Sequence, residues 1–139
     1  MAALAQASAQ EIADGLKAAA GPVDYVALRP VETGLVMVRG RIGGDGQPFN
    51  VGEATVTRAA VRIASGETGF AYLLGRDRDK ALLAAICDAV WQNIAQRDAI
   101  ERHVLVPIRA RQAAERARKQ AQTAATRVDF FTLARGEDA

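Results

Sequence analysis

The chain has 139 residues, half of them apolar but only 5% aromatic, with one cysteine and a formal charge of +2. That length suits one domain whose core is built from Ala, Val, Leu and Ile. A lone Cys87 excludes an internal disulfide framework, a zinc cluster or an iron–sulfur cluster, and +2 is too small to mark the whole chain as a polyanion binder.

No stretch approaches ~20 uninterrupted apolar residues, so no membrane span is expected. The Ala-rich start carries Glu11 and Asp14 and lacks a basic lead, so it does not read as a secretory signal. A cytoplasmic protein is the default expectation.

Leu4 to Ala20 reads as a helix, with Leu4, Ile12 and Leu16 near helical spacing. Ser8 and Glu11 have the spacing of a capping box. Gly21-Pro22 stops the helix. Val23 to Leu28 alternates weakly as a strand, which Pro30 should end. Leu35 to Arg41 is a second strand, with Arg39 and Arg41 sharing one parity. Gly43-Gly44-Asp45-Gly46 is a turn. The strand from about Phe49 to Ile63 alternates in its later half: Thr55, Thr57, Ala59, Val61 and Ile63 oppose Val56, Arg58, Ala60 and Arg62. Gly52 marks a bulge or kink. Ser65-Gly66 then turns the chain into Thr68 to Leu74, where Phe70, Tyr72 and Leu74 share a face.

A helix starts near Asp77 or Asp79, either of which could cap it. Its apolar stripe is Leu83, Ile86, Val90 and Ile94, widened by Leu82, Cys87 and Trp91. It should cover one face of the sheet. The other face is half covered by the first helix or awaits a partner. Pro107 breaks the pattern between His103 and Ile108.

Beyond Ile108 the composition shifts to Ala, Arg and Gln. Arg109, Arg111, Arg116, Arg118, Lys119 and Arg127 face one acid, Glu115. Such a helix has high propensity but little apolar area to bury. The apolar end, Val128 to Leu133, looks like an arm that docks elsewhere, by adding to a sheet edge for example. Arg127, Asp129, Phe130 and Phe131 are its docking candidates. The expected fold is α+β: an antiparallel meander of about four strands covered by helices, with a C-terminal helix and apolar extension. Residues 1–107 form the core and 108–139 the basic helix and arm.

The glycine turn could cradle a phosphate, but a P-loop needs Gly-Lys-Ser/Thr and a following helix. A strand follows here, so a plain hairpin turn fits better. Arg39, Arg41, Arg58 and Arg62 could make a planar anion or subunit interface. The bland alternative is a solvated face paired with Glu53 and Glu32. His103 is the only histidine and has no evident nucleophile or metal partner, so a structural role fits it best. Cys87 sits on an apolar stripe and reads as a small buried hydrophobe. Glu32, Glu53 and Asp129 could move protons, but no pair is spaced for acid and base work. No catalytic and no metal-binding residue is assigned. The basic helix lacks aromatic stacking residues and a groove-reading motif, which favours a solvated or partner-facing helix over a nucleic-acid binder.

ETGLV at Glu32, the GGDG turn, FNVGEATVTRAAVR from Phe49, GRD at Gly75 and RVDFFTLARGE from Arg127 resemble the PhnG subunit of the bacterial carbon–phosphorus lyase system. These blocks span most of the chain. The resemblance implies a core complex with PhnH, PhnI and PhnJ. With PhnH, PhnI and PhnL it implies support for replacing the adenine of ATP by methylphosphonate, giving alpha-D-ribose 1-methylphosphonate 5-triphosphate. It attributes the nucleosidase-like step to PhnI and radical iron–sulfur chemistry to PhnJ. ATP is then the complex's substrate, and this chain alone binds no cofactor. The expected role is accessory: positioning, so that phosphonate and not water attacks the ribose carbon. Two alternatives stay open. One is a phosphate-binding enzyme subunit with its own acid or base, and the other a small basic nucleic-acid binder. Self-association of the isolated chain also stays open.

Overall fold

The computed structural model describes residues 2–126. The chain divides into two units, Met1–Arg109 and Ala110–Ala139. The first unit opens with two short helices, α1 (Ala2–Ala5) and α2 (Ala9–Ala20), where one continuous helix was expected. The reason is the capping box itself. Ser8 Oγ accepts the Glu11 N–H at 3.1 Å, and the Glu11 carboxylate accepts the Ser8 N–H at 2.8 Å. An N-cap needs extended backbone, which Ser8 has at φ −81° and ψ 158°, so it cannot sit inside a helix.

Among the described residues the sheet has three strands, where about four were expected. They are β1 (Tyr25–Arg41), β2 (Pro48–Ile63) and β3 (Thr68–Leu74), antiparallel in the order β1-β2-β3. The two strands expected on either side of Pro30 are one. Pro30 passes because β1 is an edge strand and its register slips on both sides of Arg29. There a missing N–H costs no regular ladder bond. A third slip leaves Val51 as the extra residue, beside Gly52, between the pairs Val38–Gly52 and Arg39–Asn50.

Strand parity decides the core. Thr57, Ala59, Val61 and Ile63 of β2, with Ala71 and Leu73 of β3, turn inward and are buried. The Thr57 hydroxyl is satisfied there: it donates to the Gly75 carbonyl at 2.7 Å and lies 3.1 Å from the Thr33 hydroxyl. Helix α3 (Arg78–Gln92), capped by Asp77, packs on this inner face. The approach is close because the meeting surface is small. Ala81, Ala85 and Ala89 are buried, and a Cβ on Gly69 would lie 2.0 Å from the Ala85 carbonyl oxygen. Ile12 and Leu16 of α2 complete the core with Ile86, Cys87 and Val90.

The expected apolar stripe stops short of Ile94, which is 84% exposed. Asn93 interrupts α3, and its side chain accepts the Ala95 N–H at 3.0 Å to start α4 (Ile94–Ile100). One wide π-helical turn, Glu101–Leu105, then leads into α5 (Val106–Ala125). Pro107 does not break the chain as expected. It lies in the first turn of α5, where a missing N–H is tolerated. The Val106 N–H instead reaches back to the Glu101 carbonyl. Gly15 of α2 backs onto the same turn, and a Cβ there would lie 2.8 Å from the His103 carbonyl oxygen.

In the second unit, Glu115 pairs with Arg111 at 3.3 Å and Lys119 at 3.0 Å, one helical turn to either side. The Lys119 hydrogen bond is the main cause holding the Glu115 carboxyl below its ordinary value. No described helix is long and apolar enough to cross a membrane.

Candidate functional site

The sheet's outer face sets this fold apart. Even-numbered positions of β2 from Arg58 onward, and of β3, point away from α3 by strand alternation, and no helix of this unit covers them. They are not polar. Phe70 is 59% exposed, Tyr72 55% and Leu74 77%, while their small neighbours Gly69 and Ala71 face the core. The aromatic side chains of β3 are therefore outside, and Gly69, Ala71 and Leu73 are inside. Val26 and Leu28 of β1 add to the same exposed surface.

At its centre the face is hollow, about 620 Å³, lined by Leu28, Arg29, Arg58, Ala60, Phe70 and Tyr72. Ala60 opposes Phe70 on β3 and Arg29 on β1. A methyl group between an aromatic and an arginine leaves the depression. Glu32 ties the arginines together: its carboxylate accepts from Arg58 Nε at 2.8 Å and stands 3.5 Å from Arg29 Nη1. All three are half exposed, so the pairs orient side chains more than they stabilise the fold.

The four arginines singled out in the sequence do not come together. Arg58 and Arg62 lie on the outer face of β2. Arg39 and Arg41 pair with Asn50 and Pro48 near the turn. At about 3.3 Å per residue, Arg39 is roughly 26 Å from Arg58 along the strands. Glu53 is exposed on β2 opposite Met37. The missing members of the outer-face group are Arg29, Phe70, Tyr72 and Leu28. The alternation of Phe70, Tyr72 and Leu74 was visible in the sequence, but nothing there said which way it faced.

Beyond the reach of β3, β1 and β2 continue as a two-stranded ribbon to the Gly43-Gly44 turn. Both of these glycines have positive φ, 66° and 86°. The turn closes on itself: the Gly46 N–H donates to the Ile42 carbonyl at 3.1 Å, and Arg41 Nη1 to the Gly46 carbonyl at 3.4 Å. This agrees with a hairpin turn. The ribbon exposes Leu35, Met37, Val38, Ile42, Phe49 and Val51. Two strands alone are marginally stable in water, so this ribbon has the chemistry of a surface made to be covered.

Glu101 accepts from Trp91 Nε1 at 2.9 Å and from Arg109 at 3.0 Å. Arg97 lies over the Trp91 ring, 4.7 Å from its centre. His103 is exposed on the π turn. Cys87 is buried, and burial is the main cause pushing its thiol up to about 12. Among the described residues no group of three or more His, Cys, Asp or Glu could hold a metal ion. The docking candidates Arg127, Asp129, Phe130 and Phe131 lie outside the described residues.

The family model described as phosphonate metabolism protein PhnG matches residues 1–136. The alpha-D-ribose 1-methylphosphonate 5-triphosphate synthase subunit PhnG of Rhizobium meliloti (strain 1021) is 51% identical over 135 residues, covering 97% of this chain and 86% of that protein.

Proposed function

Because the chain belongs to the family described as phosphonate metabolism protein PhnG, we propose that it is an accessory subunit of an alpha-D-ribose 1-methylphosphonate 5-triphosphate synthase. Its partners are subunits of the PhnH, PhnI, PhnJ and PhnL kinds. The observation that carries this reading is the uncovered apolar surface: the outer sheet face with Phe70, Tyr72 and Leu74, and the ribbon beyond it. A free-standing enzyme gains nothing from such a surface, whereas a subunit buries it on assembly.

In the reaction the bond from the ribose anomeric carbon to adenine breaks, and a bond from that carbon to a phosphonate oxygen forms. Water competes for the same carbon. A subunit that completes the wall of the partner's site orients the phosphonate and excludes water. ATP is a substrate of the assembly, and this chain alone holds no cofactor. The arginines serve the interface.

The test is reconstitution with and without this chain. With ATP and methylphosphonate, the full assembly should release adenine and form the phosphonate ester. The purified chain should leave ATP intact. The assembly lacking it should lose ester formation, or divert ATP to hydrolysis at the anomeric carbon. Turnover by the chain alone, or an unchanged product ratio without it, would contradict the reading.

A further inference from the structure

The outer sheet face selects among occupants by charge as well as by shape. Ala60 is the floor of its hollow, with Phe70 and Tyr72 on one wall and Leu28 and Arg29 on the other. A second hollow of about 270 Å³ adjoins it through Leu28 and includes Arg62 and Asp24. Three guanidinium groups therefore stand over apolar ground, against Glu32 and Asp24. Glu32 is shared by Arg29 and Arg58 and engages Arg58 through Nε alone. Arg62 has no ion pair among the described residues.

We propose that this double hollow docks a carboxylate-bearing apolar segment of another synthase subunit. One large apolar side chain fills the space over Ala60, and a neighbouring Asp or Glu meets Arg58 and Arg62. This deepens the subunit reading above and rests on it. Three alternatives fit less well. A second copy meeting the same face about a two-fold axis would set three arginines against three arginines. A free phosphate would find a mainly apolar lining. An added strand at the nearby edge of β3 meets a closed door, since the Phe70 N–H already donates to Asp88 at 3.0 Å and the Thr68 carbonyl accepts from Gln92 at 2.9 Å. An occupant lying on the face needs none of those edge groups.

The full chain is bound to its cognate synthase subunits, and affinity is read against ionic strength. Arg58→Glu with Arg62→Glu should weaken binding by about tenfold or more and flatten the salt dependence. Ala60→Trp, which fills the hollow without changing charge, should weaken it comparably. Arg76→Glu, in the loop before α3, should bind as wild type. Each variant must keep the wild-type circular dichroism and melting temperature. A photo-crosslinking side chain at position 60 should label a subunit segment with an acid beside large apolar residues. The proposal is overturned if the reversed and filled variants bind within about twofold of wild type. A crosslink to a second copy or to residues 127–139 of this chain also overturns it, as does displacement by inorganic triphosphate at constant ionic strength. If wild type itself does not assemble, the subunit reading has failed. If it assembles and the variants do too, only the hollow has.

Discussion

Cys87 shows how far one residue's environment governs its chemistry. It sits where α3 meets the inner face of the sheet, and burial first, then the charge of Asp88, pushes its thiol up to about 12 from 9.0. The folded thiol thus stays protonated where the unfolded one ionises. Ionisation then favours the unfolded chain. The stabilising contribution is complete below the unfolded value and is lost as pH rises from 9.0 towards about 12. Between about pH 8 and 10.5 the urea midpoint of wild type should fall more steeply than that of Cys87→Ala. Parallel slopes would contradict this environment. The arginines make the opposite point. Their parity on each strand could be read from spacing, but their separation into two pairs follows from where the hairpin turns.

The elements were legible where local chemistry decides them. The capping box at Ser8 and Glu11, the Asp77 cap, the glycine turn and the span of β3 all rest on neighbours in sequence. The misreadings have two causes: tertiary placement at the two prolines, and local caps, Ser8 and Asn93, that divide what periodicity runs together. Pro30 ends a central strand but not an edge strand with shifting register. Pro107 breaks a helix interior but not a first turn after a widened one. Ile94 fits the periodicity of α3, yet Asn93 ends the helix before it. The sharpest consequence of close packing is at Gly69. An added methyl would drive into the Ala85 backbone, which cannot swing aside as a flexible side chain could. Gly69→Ala should destabilise the fold by about 3 kcal/mol, the upper part of the range for overpacking. The control Gly52→Ala, where a Cβ would meet nothing within 4 Å, should cost well under half of that. Equal denaturant midpoints for the two variants would show that α3 does not press on β3 so closely.

At the scale of the molecule, the sheet packs an inner face closely against α3 and leaves large apolar residues on its outer face. Gly69, Ala71 and the alanines of α3 are buried, while Phe70, Tyr72 and Leu74 are exposed. Composition announced the alanine-built core. It could not announce the bare face, because strand alternation says that two sets of residues part ways without saying which set meets the helix. In the proposed assembly that face and the β1–β2 ribbon become interface. Hydrogen exchange tests this most directly, comparing the full chain alone with the chain in the assembled synthase. Peptides covering Leu35–Arg41 and Phe70–Leu74 should exchange readily in the free chain and be strongly protected in the complex. The α3 core around Val90 should be slow in both. Unchanged exchange across both exposed segments on assembly would show that partners dock elsewhere, and would contradict the account of this chain as a subunit built around an uncovered sheet.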